Sequence, residues 1–171
     1  MNHIGDRNVK RADELICEEK STCCFTGHRP EKLSRPEEEV REWLDERIRE
    51  AIQDGYSTFI SGMARGVDLW AAESVLRLKE GDSTIRLVCA SPYNGFENRW
   101  SEKWQERYRV VLRRADTVVF VCSTYSPACF QRRNEWMVDH SSRLIAVYEG
   151  AGGGTKNTID YAQRSSCKII M

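Results

Sequence analysis

No apolar stretch in these 171 residues approaches the roughly 20 that a bilayer-spanning helix requires, so a membrane span is excluded. The opening segment, MNHIGDRNVKRADELICEEK, has no apolar core of the kind a secretory signal carries, and a cytoplasmic location is expected. Neither charge is in excess: 26 Lys and Arg balance 26 Asp and Glu, which removes the simplest basis for general nucleic-acid or polybasic membrane binding. The cysteines Cys17, Cys23, Cys24, Cys89, Cys122, Cys129 and Cys167 form no CxxC pair, and no His stands at zinc-ligand spacing from them, so no metal is expected. Most of them lie in apolar runs and read as small reduced core residues. GxxxxGK[ST] is absent, and no GxGxxG follows the first strand, so neither a Walker-type loop nor an ordinary NAD site is present.

What is present is an alternation of two periodicities. TCCFTG (22–27), YSTFISG (56–62), TIRLVCA (84–90), TVVFVC (117–122), LIAVY (144–148) and CKIIM (167–171) are short apolar runs that read as buried strands, the last at an edge. Helices are predicted over 36–55, 67–81, 97–115, 132–142 and 155–165. In the first, Val40, Trp43, Leu44, Ile48, Ala51 and Ile52 share one face, acidic residues open it, and Gly55 can end it. Six strands alternating with five helices predict one three-layer α/β domain over 21–171 with a mainly parallel sheet. Residues 1–20 read as a polar, loosely docked arm with one helical turn around Asp13–Glu19.

The helix-to-strand returns are short and plain, whereas the strand-to-helix loops are rich in Gly, Arg and hydroxyls: GHRPEKLSR, SGMARGVD, SPYNGFENRW, STYSPACFQRRN and EGAGGGT. Ligands of open parallel sheets bind outside the carboxyl ends of the strands, where these loops lie. Arg29, Arg65, Arg99, Arg132 and Arg133 populate them, and Gly152, Gly153, Gly154 and Thr155 open the last helix. Glycines before a helix N-terminus let backbone N–H groups approach an anion, and Arg adds bidentate recognition of phosphate. A phosphorylated, nucleotide-like ligand fits these groups. The candidate ligand-binding residues are Gly27, His28, Arg29, Ser61, Gly62, Met63, Ala64, Arg65, Gly66, Asp68, Ser91, Tyr93, Arg99, Arg133, Asn134, Gly152, Gly153, Gly154 and Thr155. An aromatic ring of the third loop, Tyr93 or Trp100, could stack on a base; Trp104 and His140 read as structural.

FTGHRPEKL (25–33), FISGMARGVDLWAAE (59–73), ADTVVFV (115–121), RRNEWMVDHSSRLIAVYEG (132–150) and GGGTKNTIDYA (152–162) resemble, in this order, a YpsA-type protein of the SLOG superfamily. That Rossmann-like group includes the Lonely Guy (LOG) phosphoribohydrolases and the DprA/Smf DNA-processing proteins. The resemblance implies a nucleotide or nucleotide-sugar pocket, with an ADP-ribose-like ligand. It also implies a comparison with the LOG-type GGxGTxxE loop, whose acidic position falls here on Thr158. A hydroxyl there supplies neither negative charge nor proton transfer, so LOG-type cleavage of an N-glycosidic bond is not expected.

The leading expectation is therefore a module that binds or senses a nucleotide-like small molecule without LOG-type turnover. One alternative is a nucleotide N-glycosidic hydrolase using another carboxylate, with Asp68, Glu73, Glu97 and Glu135 as candidates. A second is a DprA-like DNA-binding role, against which the zero net charge weighs. A homo-oligomer is compatible with the pattern.

Overall fold

The computed structural model describes residues 8–15 and 17–171. Its strands are β1 (Val9–Lys10), β2 (Thr22–Gly27), β3 (Thr58–Ser61), β4 (Arg86–Ser91), β5 (Thr117–Phe120), β6 (Arg143–Val147) and β7 (Lys168–Ile170). The α-helices are α1 (Glu37–Gln53), α2 (Val67–Lys79), α3 (Glu102–Arg114), α4 (Cys129–Asp139) and α5 (Gly154–Arg164). The sheet order is β1-β5-β4-β3-β2-β6-β7, and every pairing among the described residues is parallel. This is an α/β Rossmann-like architecture, as the alternation of periodicities predicts.

Strand residues alternate between two apolar layers, because successive side chains leave a strand on opposite faces. Cys23, Phe25, Phe59, Leu87, Cys89 and Val118 meet α1, α2 and α3, while Cys24, Ile60, Val88, Ala90 and Val119 meet α4 and α5. Helix α2 is the central helix of its layer, with nine buried residues from Val67 to Leu76. The turn after α1 shows how local sequence sets an element's end. Tyr56 N–H donates to Ala51 O (2.9 Å), Gly55 N–H donates to Ile52 O (3.0 Å), and Gly55 has φ +93°. This is a Schellman motif, whose left-handed residue favours glycine.

The sheet has seven strands rather than about six. The added strand comes from the polar arm: Val9 and Lys10 pair with Val118 and Val119 of β5. The Asn8 side chain donates to Leu112 O and Ala115 O (3.2 and 3.1 Å), and Trp136 Nε1 donates to Ala12 O (3.2 Å). Ala12 and Leu15 pack on the α4/α5 layer, so the described part of the arm is docked rather than loose. Residues 1–7 and 16 of that segment lie outside the described residues. In place of the helical turn expected over Asp13–Glu19 there is a turn closed by Glu14 N–H on Arg11 O (3.0 Å), then a 3-10 turn at Glu19–Ser21.

Two helices also begin elsewhere than their periodicity suggests. Residues 97–101 form turns closed by Asn98 N–H on Gly95 O and Trp100 N–H on Glu97 O, so α3 starts at Glu102. Helix α4 starts earlier, at Cys129, and ends at Asp139. Burial pushes the Cys23, Cys24 and Cys89 thiols well above the ordinary range, which makes them inert apolar side chains. No helix of the described residues is long and apolar enough to cross a membrane.

Candidate functional site

The chain builds outward from β2 through β3 and β4 to β5, then returns to place β6 on the other side of β2. Where the direction reverses, the connections leaving neighbouring strands diverge and open a crevice at the carboxyl edge. A cleft of about 300 Å³ occupies that place, lined by residues that follow β2, β3, β4, β5 and β6.

The loop after β2 supplies Gly27, His28, Arg29 and Lys32 to the cleft, and Thr26 at the strand end. Gly27 is required by a close approach: a Cβ there would lie 2.5 Å from Val67 Cβ. His28 is 5% exposed and its ring leans on Tyr148 at 5.6 Å. Its Nε2 is buried with no hydrogen-bond partner among the described residues. Burial, reinforced by Lys32, holds the imidazole below its ordinary pKa, which favours the neutral ring. Arg29 and Lys32 are exposed at the rim. Glu149, just past β6, ties this loop down by accepting from Ser34 N–H (2.7 Å), Ser34 Oγ (2.8 Å) and Arg35 Nε (3.2 Å). These bonds, the Ser34 N–H foremost, depress its carboxyl to about 2.

The SGMARGVD segment divides its labour differently from the sequence expectation. Only Ala64 and Asp68 line the cleft. Ser61 is buried, donating to Asp68 O (2.8 Å) and accepting from Met63 N–H (3.2 Å). Met63 is fully buried in a left-handed conformation with φ +64°. Gly62 is wedged where a Cβ would come within 2.8 Å of both Arg133 Nη1 and Asp68 Oδ2. Gly66 lies under Pro30 with φ +89°, and Arg65 pairs with Glu31 at 3.0 Å. These five residues shape the loop; they do not face the cleft.

Asp68 is 6% exposed, and its Oδ2 accepts from Ala64 N–H at 3.3 Å. Burial raises its carboxyl to about 6, against the pull of Arg133 and of the Ala64 N–H. Arg133, itself buried, donates Nη1 to Gly62 O and Nε to Asn134 Oδ1 (2.8 Å). Arg133 and Asn134 both reach the cleft wall.

The third loop departs from expectation too. Ser91 is fully buried against Tyr108 OH (2.7 Å), and Arg99 is exposed outside the lining. Tyr93 stands behind the wall, in edge contact with Phe96 (5.7 Å), Tyr125 (5.7 Å) and Phe130 (6.3 Å). The aromatic residues that line the cleft are Phe96 and Phe130, 5.7 Å apart, which sequence reasoning passed over along with Thr26 and Lys32. Their signal was their place in strand-to-helix loops, where Tyr93 and Trp100 drew attention instead. Trp104 rests on Trp70 (6.4 Å), and His140 stacks on Trp136 (4.1 Å), both away from the cleft.

At the far end, Gly152, Gly153, Gly154 and Thr155 line the cleft. A Cβ at Gly152 or Gly153 would meet nothing within 4 Å, so these glycines face open space rather than a packed neighbour. Helix α5 begins here with no side-chain cap, so its first N–H groups have no side-chain acceptor. Thr158 is fully buried, and its hydroxyl donates back to Gly154 O at 2.8 Å. Of the four other carboxylates considered, Asp68 alone lines the cleft. Glu73 is clamped by Arg107 (2.8 and 2.7 Å) and Arg41 (2.8 Å), Glu135 accepts from Gln131 (2.9 Å), and Glu97 faces Arg109 at 3.9 Å.

The sequence is similar to the SPbeta prophage-derived protein YoqJ of Bacillus subtilis, at 34% identity over 63% of this chain and 70% of that one. It is also similar to a UPF0398 protein of Bacillus pumilus, at 28% identity over 76% and 74%. In fold it resembles DNA processing protein A from Helicobacter pylori (TM-score 0.62) and from Streptococcus pneumoniae (TM-score 0.61), each at 16% identity. The chain spans 63% and 49% of those two proteins. The model of the YspA SLOG family (YpsA) matches residues 23–168, and the chain belongs to that family.

Proposed function

We propose that the cleft binds a nucleotide or nucleotide sugar of the ADP-ribose kind, without N-glycosidic cleavage of the LOG type. The observation that carries this reading is the pairing of a buried, partnerless His28 Nε2 with the uncapped, glycine-lined N-terminus of α5. A phosphate placed between them accepts from backbone N–H groups and from the imidazole, with Arg29 and Lys32 at the rim as further cations. The aromatic pair Phe96 and Phe130 offers an apolar face to a base. Thr158 turns its hydroxyl back to its own helix, so the position that holds an acid in LOG enzymes supplies none here. Seven unpaired cysteines support a cytoplasmic setting. The balance of 26 basic against 26 acidic residues disfavours for this chain the single-stranded DNA binding named for the Helicobacter protein.

Thermal-shift titration with ADP-ribose, AMP and inorganic phosphate tests the reading. A ligand at about 100 times its Kd stabilises the fold by about 2.7 kcal/mol. At about 2–4 °C per kcal/mol for a chain of this size, the midpoint rises by about 5–11 °C. Gly152→Asp, which has open space for its side chain, is expected to keep the ligand-free midpoint and abolish the shift. No shift with any of these compounds, or an undiminished shift in the variant, refutes the reading.

A further inference from the structure

The two faces of the sheet are covered unequally. Among the described residues, α1, α2 and α3 lie on one face, and α4 and α5 on the other. The N-terminal arm takes the place of a third helix there, with Ala12 and Leu15 packed on the α4/α5 layer. A helix is about 10 Å across with its side chains, and a single arm segment is thinner. A cavity of about 440 Å³ remains beneath the arm. Its floor holds Thr58, Arg86 and Thr117, the first residues of β3, β4 and β5, with Val88 one step further along the same face. The cavity therefore lies at the amino ends of the strands, the edge opposite the cleft. The arm that roofs it precedes residue 23, where the family match begins.

The charged groups of this cavity stand in a row. Lys10 is at one end, because β1 lies beside β5. Glu18 is at the other, at the start of β2, where its backbone oxygen accepts from the Thr22 hydroxyl (2.8 Å). Both side chains are exposed and have no ionic partner among the described residues. Between them, Asp116 is saturated: Oδ1 accepts from Lys79 (2.5 Å) and Arg86 (3.2 Å), and Oδ2 from Leu87 N–H (2.9 Å). Two cations on one carboxylate leave a positive charge over at β4, on the Lys10 side of the row. Glu19 and Lys20, next to Glu18, lie outside the lining. The hydroxyls of Ser57, Thr58 and Thr117 point to no hydrogen-bond partner among the described residues and supply both donors and acceptors along the row.

We infer that this cavity is a second ligand site, for a short linear zwitterion with the chemistry of a di- or tripeptide. Its carboxylate meets Lys10 and Arg86, its ammonium meets Glu18, and its amides meet the hydroxyls between them. A single amino acid carries both charges on one carbon and cannot reach both ends. From β5 to β2 is three strand spacings, about 14 Å. Two or three extended residues span about 7–11 Å, and the side chains of Lys10 and Glu18 reach in from the ends. The volume, about 440 Å³, lies within the range of ligand pockets, about 300–1,000 Å³. Because Lys10 and Glu18 both belong to the arm, the arm is part of the site.

Isothermal titration calorimetry at pH 7.5 tests this with alanine, dialanine, trialanine and pentaalanine. Dialanine or trialanine binds, and alanine and pentaalanine bind at least tenfold more weakly. Amidating the carboxyl end of the binding peptide, or acetylating its amino end, weakens it about tenfold in each case, the effect of one lost charge-assisted hydrogen bond. In Lys10→Met the penalty for amidation shrinks while that for acetylation stays. In Glu18→Gln the reverse holds. Both side chains are exposed, so neither variant disturbs the core, and the length and capping series in the unaltered protein needs no variant. Gly152→Asp, at the opposite edge, leaves every peptide affinity unchanged, so this site and the nucleotide reading stand or fall separately. Binding of alanine as tight as that of its peptides, indifference to the caps, penalties that Lys10→Met and Glu18→Gln leave intact, loss of peptide binding in Gly152→Asp, or no binding by any of the four overturns the inference.

Discussion

Replacing Asp68 by Asn is expected to stabilise the ligand-free protein at neutral pH and to leave it unchanged in acid. The carboxyl is 6% exposed, and burial lifts its pKa from 3.8 to about 6. A folded-state value above the unfolded one means that the folded protein holds the proton more tightly. The protonated group's contribution is fully present below about pH 3.8 and is lost as pH rises through about 6. A rise of about two units, at about 1.36 kcal/mol each, puts that loss at about 3 kcal/mol. Asn carries no charge at any pH and can still accept from Ala64 N–H through its amide oxygen. The stability of the variant minus that of the parent should therefore grow by about 3 kcal/mol between pH 4 and pH 7.5, about 6–12 °C in midpoint. Urea denaturation of both proteins at four pH values across this window measures it, and the difference cancels every other titrating group. A difference that is flat, or that shrinks as pH rises, refutes the reasoning. A positive result together with weakened nucleotide binding shows a carboxylate kept at a cost in stability for the sake of a ligand.

Gly27→Ala sets a Cβ 2.5 Å from Val67 Cβ, and a loss of about 1–3 kcal/mol is expected in urea denaturation. Adding Val67→Ala should restore only part of it, because alanine removes the Cγ1 and Cγ2 clashes (2.6 and 2.5 Å) but retains the Cβ. Thr158→Glu introduces the acid of the LOG-type loop at a fully buried site. The expected outcome is a destabilisation of about 3–5 kcal/mol, from a buried charge without a partner, and no release of adenine from AMP by chromatography. A stable variant that releases the base would place this position at the cleft after all.

Much of the fold is legible along the chain because its determinants are local. The strand Thr22–Gly27 and the Schellman end of α1 are written in consecutive residues. The two-residue strand β1 is not, since Val9 and Lys10 are too few to show a period and are strands only because β5 offers a free edge. The start of α3 at Glu102 likewise depends on turns around Gly95 and Glu97 that override the helical stripe from Trp100 onward.

The site divides along the same line. That ligand chemistry gathers at the carboxyl ends of the strands follows from the sequence, through the contrast between loops rich in glycine and arginine and their plain counterparts. Which residues of those loops face the cleft was decided by contacts between distant segments. Gly62 is closed off by Arg133, 71 residues away, and Gly66 is closed off by Pro30. Asp68 is singled out among the acids because Glu73 is clamped by Arg41 and Arg107. Phe96 and Phe130 come together only because β4 and β5 are neighbours in the sheet. Periodicity is a property of a segment, whereas the direction a loop side chain faces depends on what packs behind it.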